Sequence, residues 1–220
     1  ELTVALALFD LDNTLIGGDS DYLWGQFLCE IGAVDVSYYQ EKNKYFYEQY
    51  CKGKLDIYAY SEFSMEPLSK YTMDELNLFH KQFMEDKIEA LFLPEAEKVV
   101  DWHRDKGDTL VVITASNNFV TAPIVNHYGI DNLISTELEV VDGQYTGNVL
   151  GIPCYKNGKV EKLTLWLNSS EESLDKSTFY SDSHNDLPLL ELVTNPIVVN
   201  PDEKLNKVAT KNGWNSVDWR

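Results

Sequence analysis

The apolar residues of this chain occur in short uninterrupted runs that alternate with segments of helical periodicity. Residues 2–9 and the run TLVVITAS from Thr109 show no polar alternation, which is typical of strands buried on both faces. The runs STFYSD from Ser177 and PIVVN from Pro196 are shorter strand candidates. Because such runs alternate with helical patterns, the sequence predicts an α/β fold with a parallel sheet covered on both faces.

Three segments have the pattern of helices: PEAEKVVDWHRDKGD, NDLPLLELV and PDEKLNKVATKNG. In the first, Pro94 suits the opening turn and Gly107 suits the C-terminal stop. The segment EVVDGQYTG places an Asp142–Gly143 turn between two β-prone runs, which predicts a hairpin.

Residues from about 18 to 90 differ from the rest because they contain no strong β pattern. Apolar residues recur there at helical spacing: Phe46, Tyr50, Leu76, Phe79 and Phe83. We interpret this segment as an all-helical insertion between the first two strands, and its aromatic residues as the insertion's own core rather than a ligand site. The predicted division is a core of residues 1–17 and 91–220 with a helical cap of residues 18–90.

The composition narrows the classes of partner. The 220 residues carry a formal net charge of −18, with 18 basic and 36 acidic residues. Nucleic acids and anionic membranes bind basic surfaces, so neither is an expected partner. The three cysteines lack CxxC spacing, which favours free thiols in a reducing compartment. The N-terminus shows no signal-peptide pattern and no run approaches the ~20 apolar residues of a membrane span, so we expect a soluble, cytoplasmic protein.

The motif FDLDNTL places Asp10 and Asp12 directly after the first apolar run. Side chains at positions i and i+2 of an extended segment point the same way, so the two carboxylates face one side and Leu11 the other. They lie at the C-terminal end of a predicted parallel strand, where open α/β sheets bind ligands. Two close carboxylates repel each other, and a divalent cation such as Mg²⁺ relieves that repulsion. The alternative is a loop with two solvated aspartates.

A second acidic pair, Asp182 and Asp186 in YSDSHND, also follows a short apolar run. If both strands are central in the sheet, four carboxylates converge at one edge. So much negative charge is poorly explained by structure alone and predicts a metal site.

A hydroxyl residue ends the strand candidate LVVIT. Thr114 is followed by the small or polar residues Ala115, Ser116 and Asn117. Backbone N–H groups at a strand-to-helix turn of this kind can hold an anion.

A lysine is the remaining member of the set. Lys159 follows a glycine at the start of a helical pattern, and Lys162, three residues later, is the competing candidate. Thr114 or Lys159 taken alone is more often structural or solvated, so the specificity lies in the ordered set of motifs.

These motifs together resemble those of the haloacid dehalogenase-like superfamily. Residues 10–14 match its first motif, Thr114 its second, Lys159 its third and SDSHND its fourth, in the same order over the whole chain. The helical insertion stands where that superfamily has its C1 cap, on a Rossmann-like parallel sheet. Within it the chain is similar to subclass IB, the phosphoserine-phosphatase-like group. The 23 residues from Lys159 to Asp182 fit that group and favour Lys159 over Lys162.

The resemblance implies a Mg²⁺-dependent phosphatase acting on a small phosphorylated metabolite through a phosphoaspartyl intermediate on Asp10. Asp10 and Asp182 would bind Mg²⁺ through carboxylates, and Asp12 through its backbone carbonyl. Asp186 would lie at the metal or beside its ligands. The Asp12 side chain would be the general acid toward the leaving alcohol and then the base toward water.

The resemblance also implies a set of phosphate and substrate contacts. Thr114 and Lys159 would hold the non-bridging phosphate oxygens. Further contacts are expected from Leu11, Thr14, Ala115, Ser116, Asn117, Asn185 and Asp19.

Other functions share parts of this pattern. A receiver-type signalling domain also uses acidic residues, a threonine and a lysine, but the helical insertion and the DxDxT signature argue against it. A binding module without activity is disfavoured because every motif residue is present. A phosphotransferase that passes the phosphoryl group to another alcohol shares every motif.

The expected substrate follows from one match and one difference. In phosphoserine phosphatases, an acidic residue nine positions after the nucleophile faces the substrate ammonium, and Asp19 occupies that position here. Those enzymes also use a cap arginine to bind the substrate carboxylate, whereas residues 18–90 of this chain contain no arginine. This favours an amino-alcohol phosphate of the histidinol phosphate type. Phosphoserine would need a lysine such as Lys42 or Lys44 instead, and Asp19 is alternatively a helix N-cap.

Overall fold

The computed structural model describes residues 5–220, whose main feature is a six-stranded parallel sheet. Its strands are β1 (Leu6–Phe9), β2 (Thr109–Asn117), β3 (Asn132–Thr136), β6 (Thr178–Ser181), β7 (Asn195–Val199) and β8 (Asn215–Val217). The spatial order is β3-β2-β1-β6-β7-β8, and every neighbouring pair is parallel. The chain leaves β1 toward β2 on one side and later returns to β6 on the other, so the strand order reverses beside β1.

Strand β1 is buried on both faces, as its unbroken apolar run predicts. Leu6 and Leu8 pack into the apolar cluster on one face of the sheet, and Ala7 and Phe9 pack into the cluster on the other. All four side chains are 0 or 1 % exposed. Residues 2–4 of the predicted strand lie outside the described residues.

Helices cover both faces of the sheet. Those after the insertion are α5 (Pro94–Asp105), α6 (Asn118–His127), α7 (Asn157–Asn168), α8 (Leu187–Leu190) and α9 (Glu203–Asn212). Pro94 lies in the first turn of α5, and Gly107 takes a φ of 80° just after that helix, as predicted. The segment NDLPLLELV forms only a 3₁₀ turn (His184–Asp186) followed by the short α8.

The predicted hairpin is confirmed. Strands β4 (Leu138–Val141) and β5 (Gln144–Val149) pair antiparallel around the Asp142–Gly143 turn, where both residues have positive φ. Strand β2 covers the predicted run from Thr109 and extends it by one residue to Asn117, with a shift of register against β3 between Ile113 and Asn117.

The segment between β1 and α5 is helical, as predicted. Its α-helices are α1 (Ser20–Glu30), α2 (Val36–Lys52), α3 (Ile57–Met65) and α4 (Met73–Phe83), followed by a π-helical turn (Met84–Ile88) and a 3₁₀ turn (Glu89–Leu91); a 3₁₀ turn (Glu66–Lys70) joins α3 to α4. The start of each α-helix is capped by a side chain that accepts a backbone N–H: Asp19, Asp35, Asp56 and Thr72. Whether residues 18–90 behave as a separate domain stays a prediction.

The interpretation of the aromatic residues as the insertion's own core is wrong in one respect. Phe46 and Phe83 belong to an apolar cluster that also contains Phe9 and Val112 of the sheet. Trp24 of α1 links the two parts, because its ring lies 5.2 Å from Phe83 and 5.5 Å from Phe119 of α6. The helical segment is therefore fixed to the sheet by shared apolar packing.

Within the described residues, no helix is both long enough and apolar enough to cross a bilayer.

Candidate active site

The predicted site residues meet at the C-terminal edge of the three central strands. Asp10 directly follows β1, Thr114 lies near the end of β2, and Asp182 directly follows β6. In an open parallel sheet this edge, beside the strand where the order reverses, is where ligands bind. A cavity of about 650 Å³, including its open mouth, lies here between the sheet and the helical segment.

Lys159 is the central cation of the site. It lies in the first turn of α7 and is 3 % exposed. Its Nζ donates to Asp10 Oδ1 at 2.8 Å and to Asp186 Oδ2 at 2.9 Å. Lys162, the competing candidate, instead lies 3.4 Å from the exposed Glu137. The structure therefore places Lys159 at the cavity and Lys162 outside it.

The carboxylates of the site are short of positive charge. Burial raises the pKa of Asp10 to about 7, although Lys159 opposes the shift. Burial, and then the charges of Asp10 and Asp186, raise the pKa of Asp182 well above its ordinary value. Conversely, burial lowers the pKa of Lys159, but Asp10 and Asp186 outweigh it and the net shift is upward. The surroundings therefore favour protonated carboxyl groups and a protonated Lys159, so the pocket stabilises positive charge.

Asp12 lines the cavity beside Asp10, and its carboxylate is held by two donors. The backbone N–H of Ser20, at the start of α1, donates to Asp12 Oδ1 at 2.6 Å. The hydroxyl of Ser116 donates to Asp12 Oδ2 at 2.7 Å. One donor comes from the helical segment and the other from β2, so both parts of the molecule set the orientation of this carboxyl group.

The end of β2 forms one wall of the cavity. Thr114, Ala115 and Ser116 all line it. The Ser116 backbone N–H donates to Thr114 Oγ1 at 3.2 Å, which fixes the hydroxyl. Asn117 differs from the expectation, because it does not line the cavity. Its Oδ1 accepts the Val120 N–H as the N-cap of α6, and its Nδ2 donates to Asp21.

The expected contacts from the first motif are partly corrected. Thr14 is fully buried and does not line the cavity. Its hydroxyl donates to Asp182 Oδ1 at 3.3 Å and accepts the Asp182 N–H at 3.1 Å, so it braces Asp182. The Leu11 side chain is fully buried in the apolar cluster, so only its backbone can serve a ligand.

The fourth motif contributes two residues that line the cavity, Asn185 and Asp186. Asp186 accepts from Lys159 and, at 2.7 Å, from the Ser181 hydroxyl. Asn185 accepts from the Tyr155 hydroxyl at 3.1 Å and donates to the Tyr50 carbonyl at 3.2 Å. Asn185 therefore connects the sheet edge to the C-terminal end of α2.

The end of α2 closes one side of the cavity. Gly53 caps this helix with a φ of 70°, and its carbonyl accepts from Lys156 Nζ at 2.8 Å. The Lys52 carbonyl accepts from Lys204 Nζ at 2.9 Å. Carbonyls at a helix C-terminus have no partners within the helix and carry partial negative charge, so lysines suit this position.

Several lining residues were missed by the sequence reasoning because they belong to the helical segment or the loop before α7: Tyr22, Asn43, Phe46, Tyr47, Tyr50, Leu55, Ile57, Tyr60 and Tyr155. The signal for two of them was the aromatic pair Phe46 and Tyr50. The spacing of these two residues indicated one face of α2 correctly, but we interpreted that face as part of a core, whereas it also lines the cavity.

Asp19 satisfies both interpretations of its position. Its Oδ1 accepts the Tyr22 N–H at 2.8 Å as the N-cap of α1, and the residue also lines the cavity. Burial, and then the nearby Asp12, raise its pKa well above the ordinary value. Asp19 is thus a further carboxylate of this cavity, and within residues 5–220 its hydrogen bond comes from a neutral backbone N–H.

The expected metal ligands are the carboxylates of Asp10 and Asp182 and the backbone carbonyl of Asp12, with Asp186 at the metal or beside its ligands. In residues 5–220 no set of three or more His, Cys, Asp or Glu side chains lies close enough to hold a metal. Asp186 accepts a hydrogen bond from Lys159. The Asp12 carboxylate accepts one from a backbone N–H and one from a hydroxyl group. Asp10 and Asp182 remain as the two candidate carboxylates, and burial and then the charge of Asp10 raise the pKa of Asp182. Mg²⁺ is commonly held by one or two carboxylates, with water and substrate phosphate completing its shell, so these residues fit it.

Comparison with known proteins gives a consistent family. A model of the haloacid dehalogenase-like hydrolase family matches residues 7–191. A histidinol-phosphatase of Neisseria meningitidis serogroup C is 45% identical over 213 residues, which cover 95% of this chain and 96% of that protein.

Solved structures show the same architecture. A protein of unknown function from Bordetella pertussis Tohama I has a TM-score of 0.93 and 40% identity, covering 99% of this chain and 100% of that one. A substrate-bound phosphoserine phosphatase has a TM-score of 0.71 and 19% identity, covering 94% of this chain and 91% of that one, which supports the fold.

Replacing Lys159 tests the charge balance of the site. Lys159→Met keeps the side-chain length and leaves two buried carboxylates without their cation, which costs roughly 3–5 kcal/mol of unfolding free energy. Without Lys159 the pKa of Asp10 rises above about 7. A carboxyl with a folded-state pKa above its unfolded value loses stability as pH rises between the two. Denaturant unfolding should therefore show a larger loss at about pH 8.5 than at about pH 6.

Lys162→Met is the matched control on the same helix. Its partner Glu137 is exposed, so we expect a loss within about 0–1 kcal/mol and little pH dependence. Equal losses in the two variants would contradict a central role for Lys159.

Proposed function

Because this chain belongs to the haloacid dehalogenase-like hydrolase family and is a phosphatase, we propose that it hydrolyses an amino-alcohol phosphate of the histidinol phosphate type. The reaction proceeds through a phosphoaspartyl intermediate on Asp10. The observation that carries the role of Asp10 is its position: a buried carboxylate at the end of the central strand, bonded to Lys159 and open to a cavity that Asp12 also lines.

The first half-reaction transfers the phosphoryl group to the enzyme. An Asp10 oxygen forms a bond to phosphorus while the bond from phosphorus to the leaving alcohol oxygen breaks. Asp12, held by Ser20 and Ser116, gives its proton to that oxygen. Lys159 and the Thr114 hydroxyl lie on the same cavity and bind the non-bridging oxygens, which stabilises the developing charge.

The second half-reaction releases phosphate. Water attacks phosphorus, Asp12 takes the proton of the water, and the bond to Asp10 breaks. Mg²⁺ held by Asp10 and Asp182 would supply the positive charge that lets a phosphate dianion approach these carboxylates. Thr14 positions Asp182 for this task through its two hydrogen bonds.

The substrate proposal rests on charges around the cavity. Lys42 lies in a separate groove with Tyr38 and Glu62, and Lys44 is exposed, so neither replaces the missing arginine of the cap. A substrate carboxylate thus has no cation in the helical segment to bind it, whereas an amine meets Asp19. The name of the Neisseria relative agrees with this preference.

The cysteines suit a cytoplasmic setting for this phosphatase. Cys29, Cys51 and Cys154 are free thiols, the first and last of them buried. Free thiols of this kind are usual in reducing compartments.

The function is tested by Asp10→Asn. The amide is a poor nucleophile, so phosphate release should be abolished, and a chelator should abolish it in the wild type. Acid quenching during turnover should capture phosphorylated wild-type protein but no phosphorylated variant. Asp35→Asn, an exposed helix N-cap away from the cavity, is the control. Normal turnover by Asp10→Asn or by the chelated enzyme would contradict the mechanism.

Replacing Asp12 tests its role as an acid. Asp12→Asn should slow turnover of an alkyl phosphate by about 10²–10⁴-fold, the usual contribution of general acid–base catalysis. The loss should be smaller for p-nitrophenyl phosphate, because nitrophenolate leaves without protonation. Equal losses with both substrates would show that the carboxyl group has a structural role instead.

The substrate preference is measured with two compounds. Histidinol phosphate should have a higher kcat/KM than phosphoserine, and Asp19→Ala should narrow the difference. Asp35→Ala removes an equivalent N-cap bond outside the cavity, so it controls for helix stability without altering the ratio. A wild-type preference for phosphoserine would overturn the assignment of an amine without a carboxylate.

A further inference from the structure

The cavity has more negative charge than the phosphatase chemistry uses. Five carboxylates line it, from Asp10, Asp12, Asp19, Asp21 and Asp186. Within the described residues 5–220, the one lysine or arginine lining it is Lys159, which is already bonded to two of these carboxylates. The proposed mechanism assigns roles to Asp10 and Asp12, and the amine of the substrate is assigned to Asp19. Asp21 remains without a role.

Asp21 is held in a fixed orientation by both parts of the molecule. The Tyr60 hydroxyl, on α3, donates to Asp21 Oδ2 at 3.0 Å. The Asn117 side-chain amide, at the end of β2, donates to Asp21 Oδ1 at 3.2 Å. A carboxylate has about four lone-pair positions, so each oxygen can accept one more hydrogen bond. Because the residue is only partly buried and lines the cavity, a ligand there can reach those positions.

The environment of Asp21 calls for a donor with positive charge. Burial, and then the charge of Asp12, raise the pKa of Asp21 to about 7, despite the hydrogen bonds from Tyr60 and Asn117. The neutral donors present therefore do not offset the burial of this carboxylate. An N–H donor of a cationic or readily protonated group would do so.

The walls around this carboxylate are aromatic and apolar. Phe46, Leu55 and Ile57 line the cavity together with Tyr60. The Phe46 and Tyr60 rings lie edge to face at 5.5 Å, which fixes the position of both. Such walls favour a flat ring, and aromatic faces also attract a cationic one.

We propose that Asp21, positioned by Tyr60 and Asn117, accepts a hydrogen bond from the N–H of a flat nitrogen heterocycle carried by the alcohol of the substrate. This specificity residue acts apart from Asp19 and the phosphate-binding residues, and the inference rests on the phosphatase function proposed above. The substrate class is then a phosphate ester of an amino alcohol that bears a second nitrogen group. An imidazole is one such ring.

The test compares three phosphate esters that lose these groups stepwise. Histidinol phosphate has the ring and the amine, phosphoethanolamine has the amine alone, and p-nitrophenyl phosphate has neither nitrogen donor. Asp21→Asn keeps the shape of the side chain and removes its charge. We expect kcat/KM for histidinol phosphate to fall by roughly 10- to 100-fold relative to phosphoethanolamine, mainly through KM, as befits one hydrogen bond to a charged group.

Tyr60→Phe tests the positioning of Asp21 without altering a carboxylate. It should lower the same ratio by roughly 3- to 10-fold, less than Asp21→Asn, because the carboxylate is kept and only its orienting hydrogen bond is lost. This second variant keeps the test valid if Asp21→Asn folds poorly. Asp35→Asn, which changes an exposed helix cap, should leave the ratio unaltered.

The outcomes separate the failure of this inference from the failure of the proposed function. If the wild type has the same kcat/KM for phosphoethanolamine as for histidinol phosphate, the site for the ring is overturned and the phosphatase function stands. Equal losses on all three esters in Asp21→Asn and Tyr60→Phe would assign Asp21 a structural role and overturn the inference. If the wild type hydrolyses none of the esters, the proposed function falls and the inference falls with it.

Discussion

The bridge from Lys159 to Asp10 and Asp186 is the interaction on which the candidate site depends. Each of the three side chains is almost fully buried, so none could remain charged there alone without a large desolvation cost. One lysine for two carboxylates leaves the site with an excess of negative charge. Burial, and then the charge of Asp186, raise the pKa of Asp10 to about 7 although Lys159 opposes the shift, so added positive charge would stabilise the ionised carboxylates.

The parallel sheet makes such a concentration of charge possible. Strands β2, β1 and β6 are adjacent, so the residues that follow them lie side by side although they are far apart in sequence. The packing of Phe9 and Leu8 on opposite faces of β1 fixes the strand, and with it the direction in which Asp10 leaves the sheet. Asp10 is therefore held in position, because it directly follows a strand whose four side chains are all buried.

The sequence predicted the parallel sheet because the strand signals are local, whereas Lys159 was preferred to Lys162 through the 23-residue spacing of a family resemblance. An apolar run followed by a polar residue indicates a strand end whatever the rest of the chain does. The misplaced residues depended on long-range contacts. Thr14 turns to Asp182, 168 residues away, and Asn117 turns to Asp21 on another element, and no local pattern indicates either choice. The Tyr50 face was likewise ambiguous, since a helix presents the same spacing to a core and to a cavity.

The carboxylates of the cavity form two groups, which differ in the positive charge available to compensate them. At the sheet edge, Lys159 partly balances the buried carboxylates of Asp10 and Asp186. Farther from phosphorus, Asp19 and Asp21 extend from the first turn of α1, where the positive end of the helix dipole gives them partial support. Burial, and then the charge of Asp12, nevertheless raise the pKa of both residues. Under the proposed function a cationic substrate would bring the positive charge that these two carboxylates lack, so the acidic start of α1 would determine the selectivity.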